Sequence, residues 1–309
     1  GLYESGAAKR KSMPDMVMPD MNPDGVVITQ IADSTETYGL FGAKDEPITS
    51  VRLPANLVRI GDKAFSWSGI EKIHFPETLE VIGMSAFQAD NLVEIILPDS
   101  VATVGSGAFA SNFTVEKVKI SRGMTEVPAG FISCSGQSAA ENFKELTIPE
   151  GVTTIGANAF AGNNLKSVVI PAGVKSIGGS AFAQTQATRS LEEIHLPEGL
   201  ETIERWAFRY AKVKEVILPS TVTALHKDAF RDCPDAGEKV KLYTLNKEQL
   251  QNHDSFVASS TYHETIYNNL IGSGWEYDDF TFDGKTVTGW SDKGNQTRLQ
   301  NKNLVIPAI

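Results

Sequence analysis

The stretch LVEIILPDSVATVGSGAF, residues 92–109, contains the signals that decide the fold. Its first six residues carry apolar side chains at positions one, four and six, a pattern that predicts a short strand with one buried face. Pro98 ends the strand, because proline has no N–H to donate to a neighbouring strand. The V-x-x-V segment after it returns the chain across the core, and Gly105 predicts a sharp turn at positive φ.

The same frame returns along most of the chain. The template is L-x-x-I-x-L-P-x-x-L-x-x-I-G-x-x-A-F, and neighbouring copies usually begin 22 residues apart. One copy cannot bury its own apolar face, whereas stacked copies can, so the array predicts a solenoid. Well-matched copies begin at Ile48, Ile70, Leu92, Phe143, Leu165, Leu191 and Val213, and a degenerate copy begins at Val115.

The Ala-Phe pair that closes each copy predicts the main stabilising feature. We expect the pair to lie on a short helical turn, where alanine allows close approach and phenylalanine fills the core. Glu204 and His226 replace the turn glycine in two copies, so positive φ is not obligatory there. The phenylalanines should form one internal column, comprising Phe65, Phe87, Phe109, Phe131, Phe160, Phe182, Phe208 and Phe230.

The I/L-P, I-G and A-F signatures resemble the BspA-like leucine-rich repeats of bacterial cell-surface proteins. The resemblance covers residues 48–245, about two-thirds of the chain. It implies an α/β repeat solenoid, a right-handed superhelix with one parallel β-sheet and short helical turns. The alternative is a parallel β-helix, which has a similar period but no helical turn at the Ala-Phe steps.

The remaining segments fit around this array. Residues 1–15 are small, polar and basic and predict a linker or disordered terminus. The solenoid should span residues 16–245, with an atypical opening repeat at 16–47 and the regular repeats at 48–245. Residues 246–309 should form a C-terminal cap, a β-hairpin turning at Asp283-Gly284, and the start of a further module.

Two further observations concern that last module and the ends of the chain. Leu304-Val305-Ile306-Pro307 echoes the opening Met16-Val17-Met18-Pro19, which favours a native protein that continues past Ile309. The chain begins at Gly1 with no apolar signal segment. We interpret Gly1 as a remnant of tag cleavage and expect an extracellular or cell-surface protein whose signal peptide was removed.

Composition excludes several classes of protein. The net charge of −10 argues against a nucleic-acid-binding surface, which needs clustered lysine and arginine. No run approaches the ~18 apolar residues of a membrane span. Two cysteines in 309 residues exclude a disulfide scaffold, and with five histidines they leave few soft metal ligands.

The sequence carries no recognisable catalytic or metal-binding motif, so we expect no enzyme activity, no metal and no cofactor. His74 and His195 occupy the same outward strand position but lie five copies apart, or ~24 Å at ~4.8 Å per strand. Cys134 and Cys233 lie four copies apart, too far for a disulfide, and are interpreted as small buried residues. Asp278, Asp279 and Asp283 lack the spacing of a calcium loop.

The outward face of the strands remains as the candidate binding surface. A neighbouring column that includes Lys72, Glu94, Lys117 and Glu145 alternates in charge and supports strand register. Ile96, Val169 and Ile217 point outward from the strands in a second column and are harder to explain as a solvated face. Repeat arrays bind partners on such extended surfaces. The candidate ligand-binding residues are Arg52, His74, Ile96, Lys119, Thr147, Val169, His195 and Ile217.

Two inserts interrupt the period, at residues 132–142 after Phe131 and at residues 183–190 after Phe182. Both fall at the same corner of the repeat. They are either tolerated surface insertions or a lateral binding edge.

These observations favour a non-catalytic, secreted or cell-surface binding or adhesion protein. Its expected partner is a protein or glycan of the host or the extracellular matrix, bound through the repeat surface, with no nucleic acid and no membrane span. One alternative is a structural spacer in a larger surface protein. The other is an enzyme accessory with its site in residues 246–309.

Overall fold

The computed structural model describes residues 15–36, 38–42, 47–134, 143–187, 189–233, 237–250 and 255–267, together with the backbone of 280–283 and 286–290. Nearly all of the expected linker, the Leu304–Pro307 echo and most of the first insert lie outside these residues. The proposed division into terminus, solenoid and C-terminal region therefore stays a prediction at both ends of the chain.

Each repeat contributes one three-residue strand and one two-residue strand, as the apolar spacing predicts. The three-residue strands are β1 (Asp15–Val17), β3 (Ser50–Arg52), β5 (Lys72–His74), β7 (Glu94–Ile96), β9 (Lys117–Lys119), β11 (Glu145–Thr147), β13 (Ser167–Val169), β15 (Glu193–His195) and β17 (Glu215–Ile217). The two-residue strands are β2 (Gln30–Ile31), β4 (Arg59–Ile60), β6 (Val81–Ile82), β8 (Thr103–Val104), β10 (Glu126–Val127), β12 (Thr154–Ile155), β14 (Ser176–Ile177), β16 (Thr202–Ile203) and β18 (Ala224–Leu225).

The strands pair in parallel with neighbouring repeats and form a leucine-rich repeat β-solenoid. The expectation of one sheet is wrong, because the two strand types form separate columns. The three-residue column divides into the sheets β1-β3-β5, β7-β9-β11, β13-β15 and a last sheet that begins at β17, and the two-residue column divides between β8 and β10. Strands this short share few hydrogen bonds, so the ordinary twist between neighbours interrupts regular pairing.

The Ala-Phe steps contain turns, and the expected helical turns are wrong. The N–H groups of Ala64, Ser66 and Ser68 each donate to the carbonyl oxygen three residues earlier, which closes three overlapping four-residue turns. The alternate N–H groups of this segment bond to the next repeat, whereas a helix would satisfy its N–H groups within its own coil. These inter-repeat bonds join Lys63 to Met84 (2.8 Å), Phe65 to Ala86 (2.8 Å) and Trp67 to Gln88 (2.9 Å).

The turn glycines serve close approach and not positive φ. A Cβ on Gly61 would lie 2.3 Å from the backbone of Ala32, and one on Gly105 would lie 2.4 Å from Met84 N. Positive φ falls instead at a first turn position two residues later, such as Lys63 (φ 53°), and at a second turn position two residues after the phenylalanine. The expectation of positive φ at the glycine itself is therefore wrong.

The phenylalanine column is confirmed for most copies, and it begins in the opening repeat. Phe41, near the end of the atypical opening repeat, stacks on Phe65 with ring centroids 4.9 Å apart. The rings continue at 5.1 Å to Phe87 and 5.4 Å to Phe109. Beyond the degenerate copy, four further rings stack at 5.2–5.7 Å, namely Phe160, Phe182, Phe208 and Phe230.

The expectation that Phe131 occupies the phenylalanine position of its copy is wrong. Phe109 N–H donates to Phe131 O, the bond that alanine receives in other copies, and Ile132 N–H donates to Ala159 O, the bond that phenylalanine makes elsewhere. Phe131 therefore occupies the alanine position and Ile132 the phenylalanine position. Consequently the Phe131 ring meets Phe109 and Phe160 edge-on, at interplanar angles of 67°.

The array closes with β19 (Val240–Thr244), a short 3-10 helix (Lys247–Leu250) and β20 (His263–Tyr267). Asn246 Oδ1 accepts the Glu248 N–H at the start of the helix, the capping role that its sequence position predicts. His263 is fully buried, contacts Phe230 edge-on and lies 2.7 Å from Val257 O through Nε2. β21 (Phe280–Asp283) and β22 (Thr286–Trp290) pair antiparallel, while their connecting residues lie outside the described chain.

Candidate functional site

The outward positions of the three-residue strands align across neighbouring repeats. Within the sheets, Arg52 is paired with His74, Lys119 lies between Ile96 and Thr147, and Val169 is paired with His195. Ile217 pairs with Tyr243 on the next strand. The structure therefore places the eight sequence-predicted residues in one column, hereafter the strand face, which is divided where the sheets divide.

The apolar members of the strand face are exposed to solvent. The exposed fraction is 38% for Ile96, 69% for Val169 and 56% for Ile217. Neighbouring residues on the same strands, such as Ile95 and Val168, are buried in the core. This alternation is a direct result of strand geometry, in which successive side chains point to opposite faces.

The column also continues beyond the residues that the sequence selected. Val17 pairs with Arg52 at the first strand and is two-thirds exposed. At the other end, Tyr243 pairs with both Ile217 and Ile266. Sequence reasoning missed these three residues because their strands belong to the atypical terminal repeats, where the template is weak.

The charged column beside the strand face forms the expected cross-strand contacts in part. Lys117 Nζ lies 2.9 Å from Glu145 Oε2. Hydrogen bonding and the negative charge of Glu145 raise the pKa of Lys117 above its ordinary value. Lys241 continues the pattern opposite Glu215 at 3.8 Å. Opposite charges therefore lie next to each other in the observed strand register, in solvent-exposed pairs.

The described part of the chain contains no clustering of chemically reactive groups. Cys134 and Cys233 are both free and buried, and burial raises the pKa of the Cys233 thiol to about 12, which confirms their interpretation as core residues. His74 and His195 lie in different sheets. Within these residues, no three histidine, cysteine or acidic side chains come together as a possible metal site.

The second insert has an ordered base. Gln184 is buried, and its amide nitrogen donates to Asn163 O (3.2 Å), Leu165 O (3.1 Å) and Ser190 Oγ (2.9 Å). Its Oε1 accepts the N–H groups of Ser190 and Leu191. One buried glutamine therefore closes the loop onto the repeat stack, whereas most of the first insert lies outside the described residues.

A comparison with protein-family models gives one decisive match. A model described as a BspA type leucine rich repeat region, of six copies, matches residues 40–139 and 137–237. The chain belongs to the BspA-type leucine-rich repeat family. The match spans most of the described solenoid and includes the degenerate copy, so the resemblance carried by the I/L-P, I-G and A-F signatures is confirmed.

Solved structures similar to this BspA-type chain come from several bacteria. A leucine rich cell surface protein from Faecalibacterium prausnitzii is 18% identical, with a TM-score of 0.49 and coverage of 83% of this chain and 88% of that one. A leucine-rich repeat protein from Bacteroides ovatus is also 18% identical, with a TM-score of 0.48. That match covers 84% of this chain but 61% of the other. No curated protein matches the chain.

The structure also reveals a cluster that sequence reasoning missed. Arg205, Trp206, Arg209 and Tyr210 come from the run RWAFRY and meet at the Ala-Phe turns of the copy that begins at Leu191. The signal was present as two aromatic residues in turn positions that small residues usually fill.

Among the described residues, no helix is long and apolar enough to cross a bilayer.

Proposed function

We propose that this BspA-type chain is a non-catalytic binding or adhesion protein of the bacterial surface or exterior. Its strand face recognises a protein or glycan of the host or the extracellular matrix. The observation that carries the proposal is the exposure of Ile96, Val169 and Ile217 in one ordered column. The binding uses no metal and no cofactor.

Several exposed, branched apolar residues at the same strand position leave apolar surface in contact with water unless a partner covers it. A single exposed leucine or valine needs no explanation. Here the three residues share one column with aligned polar side chains on either side, the composition of a binding face with apolar anchors and polar surroundings. The parallel register holds these side chains in place before a partner arrives, which lowers the entropic cost of binding.

The test replaces the three apolar anchors together. We expect Ile96→Ser/Val169→Ser/Ile217→Ser to fold normally, because all three side chains point away from the core. The variant should lose attachment to extracellular-matrix proteins and mucin glycans presented as an immobilised panel. The matched control is Val26→Ser/Met84→Ser/Leu245→Ser, which removes comparably exposed apolar residues that lie off the strand face.

Each outcome has a distinct meaning. Loss of binding in the strand-face variant alone supports the proposal. Full binding by that variant would contradict it, and loss on trimming residues 183–190 would transfer the site to the lateral edge. If no variant changes binding to any panel member, the array acts as a spacer in a larger protein.

A further inference from the structure

A compact group of arginines and aromatic rings lies on the turn edge of the last repeats. We call Arg205, Trp206, Arg209, Tyr210 and Arg231 the basic turn cluster. The Arg205 guanidinium lies 4.1 Å from the centre of the Trp206 ring, and that of Arg209 lies 4.4 Å from the centre of the Tyr210 ring. Arg209 and Arg231 also approach the Trp206 ring, at 5.3 Å and 6.0 Å. Three guanidinium groups thus surround one indole.

The two rings occupy backbone positions that disfavour them. Trp206 stands at the first turn position and Tyr210 at the second, and both have φ of 63°. A bulky residue rarely adopts this conformation, and such strain is retained mainly where function uses the side chain. Other copies mostly fill these positions with smaller residues, although Lys63 and Trp67 also occupy them with positive φ; the smaller residues include Ser85, Ala89, Gly107, Ser111, Asn158 and Ser180.

The cluster carries excess positive charge in an acidic protein. Among the described residues, two carboxylates pair with these arginines: Asp228 is 3.5 Å from Arg205, and Asp232 contacts Arg209 at 3.1 Å. Arg231 shares Asp232 at 3.7 Å. Three guanidinium groups therefore share two carboxylates, although the whole chain has a net charge of −10. Such a local surplus attracts anions.

The second insert adds a fourth arginine to this edge. Arg189 Nη2 donates to Asp232 O at 2.9 Å, and its Nε donates to Tyr210 O at 3.3 Å. Because Gln184 fixes the base of the insert, Arg189 is held against the basic turn cluster. Trp206 Nε1 and Arg231 Nε are buried without a hydrogen-bond acceptor among the described residues, and Arg231 Nε lies 3.7 Å from Asp232 Oδ2.

The backbone of residues 205–210 is already engaged with the neighbouring repeats. The N–H groups of Trp206, Phe208 and Tyr210 each donate to the next repeat at 3.0 Å. The carbonyl groups of Tyr210 and Asp232 accept from Arg189. An extended peptide could not add here as a strand, since strand addition needs free backbone groups. Recognition must use guanidinium groups and ring faces.

We propose that the basic turn cluster binds an acidic polysaccharide. Since the Nε atoms of Arg205 and Arg209 face carboxylates and Arg209 Nη2 already donates to Tyr210 Oη, a carboxylate or sulfate of the sugar is held by the remaining Nη donors of the two guanidinium groups. The sugar ring packs against the partly exposed aromatic side chains, which offer apolar surface beside polar atoms. Stacking on Trp206 and Tyr210 orders the arginines in advance and so reduces the entropic cost of binding. This site is separate from the strand face.

Calorimetric titration with defined probes tests the proposal. The probes are a heparin dodecasaccharide, which carries sulfates and carboxylates, an oligogalacturonate, which carries carboxylates only, poly-glutamate and neutral dextran. We expect the intact chain to bind one or both acidic saccharides and to bind dextran not at all. Binding of heparin alone would assign sulfate, whereas binding of both would assign the carboxylate.

The variant Arg205→Gln/Arg209→Gln should weaken saccharide binding at least ~10-fold, because two charge-assisted contacts are lost. The matched control Arg59→Gln/Arg122→Gln removes two arginines that pair with Asp33 and Asp99 elsewhere, and should change affinity less than ~2-fold. Arg205→Lys/Arg209→Lys keeps the charge but not the fork, and should bind several-fold more weakly than the unaltered chain.

Three results would overturn the proposal. The first is unchanged saccharide binding by the glutamine pair, measured on protein with an unchanged melting midpoint. The second is an equal loss in the Arg59/Arg122 control, which would mean that only net charge matters. The third is poly-glutamate binding as tightly as the saccharides with the same sensitivity, which would assign an acidic polypeptide. The strand-face triple variant should keep this binding, so the two sites fail independently.

Discussion

The phenylalanine column and the strand face run along the same stack of repeats under opposite constraints. Rings such as Phe87 and Phe109 are fully buried and stack within 5.4 Å of each other. On the strand face, neighbouring repeats carry different residues, and isoleucine, lysine and threonine lie side by side at Ile96, Lys119 and Thr147. The buried column therefore keeps one residue type in most repeats, whereas the residue type on the strand face changes from one repeat to the next.

The contrast indicates where stability and recognition reside. A buried column must keep its residue, because each ring packs on the ring before it and the ring after it. An exposed column has no such neighbours and is free to acquire the side chains that a partner needs. Substitutions that break a buried column should therefore unfold the protein, while those on the strand face should alter binding at constant stability.

The largest effect is expected in the phenylalanine column. Phe109→Ala should lower the free energy of unfolding by ~3–5 kcal/mol, since it removes buried contacts and leaves a cavity between two rings. The matched control is Phe113→Ala, which removes the same side chain from a partly exposed position nearby and should cost less than ~1.5 kcal/mol. Denaturant titration measures both, and equal losses would mean that the column is not the principal core.

The second effect concerns a buried carboxyl group beside that column. Asp90 Oδ1 accepts hydrogen bonds from Ser68 N and Gly69 N at 2.8 Å and from Ser68 Oγ at 2.9 Å. Burial nevertheless raises the pKa of Asp90 to about 7. Asn112 occupies the same position in the next repeat and bonds through both amide atoms. An amide therefore satisfies this position without a charge.

The folded chain binds a proton at Asp90 that the unfolded chain, with a carboxyl pKa near ~3.9, has already released. The free energy of unfolding should thus fall as pH rises from about 4 to about 7, by up to ~1.4 kcal/mol per pH unit, and level off above that range. Asp90→Asn should not show this fall in the free energy of unfolding with pH. The variant should therefore be more stable than the unaltered chain at about pH 8. Denaturant titrations near pH 5 and pH 8 measure the difference, and a gap that does not grow with pH would contradict the assignment.

The interior was predictable from sequence because its constraints repeat. The spacing of Ile95 and Leu97 before Pro98 specifies a strand and its end, and seven further copies supply the register. The burial of Cys134 and Cys233 agrees with their place after the column. The strand face was equally predictable as a set of outward residues, since alternation assigns each side chain to one side. Its role in binding stays a prediction.

Sequence reasoning missed three features, each for an identifiable reason. The Ala-Phe steps have no period of their own, so only the inter-repeat hydrogen bonds exclude a helix. In the degenerate copy, Phe131 matches the template by residue type but lies four residues after Val127, whereas the spacing in other copies is five, so the match by residue type hid the shift. The basic turn cluster depends on ring positions at Trp206 and Tyr210 that become neighbours of Arg231 only when the repeats stack.

The register of the degenerate copy can be tested by exchange. Because Phe131 stands in the alanine position and Ile132 in the phenylalanine position, Phe131→Ala/Ile132→Phe restores the common pattern. The two changes largely conserve volume, so the double variant should lie within ~1.5 kcal/mol of the unaltered chain, whereas Phe131→Ala alone should cost ~3–5 kcal/mol. If Phe131 belonged to the column instead, the double variant would be at least as unstable as the single one.

The smallest effect is expected at the charged pairs beside the strand face. Lys117 and Glu145 are both largely exposed, so the 2.9 Å contact between them is screened by solvent and offset by the entropy of two long side chains. Lys117→Ala should therefore leave the melting midpoint unchanged within error, at low and at high salt. That result would mean that the charged pairs beside the strand face contribute nothing measurable to the stability of the fold. A clear drop in the midpoint that disappears in high salt would instead show that charge alternation holds the strands in register, and the separation between a stabilising interior and a recognising exterior would not hold.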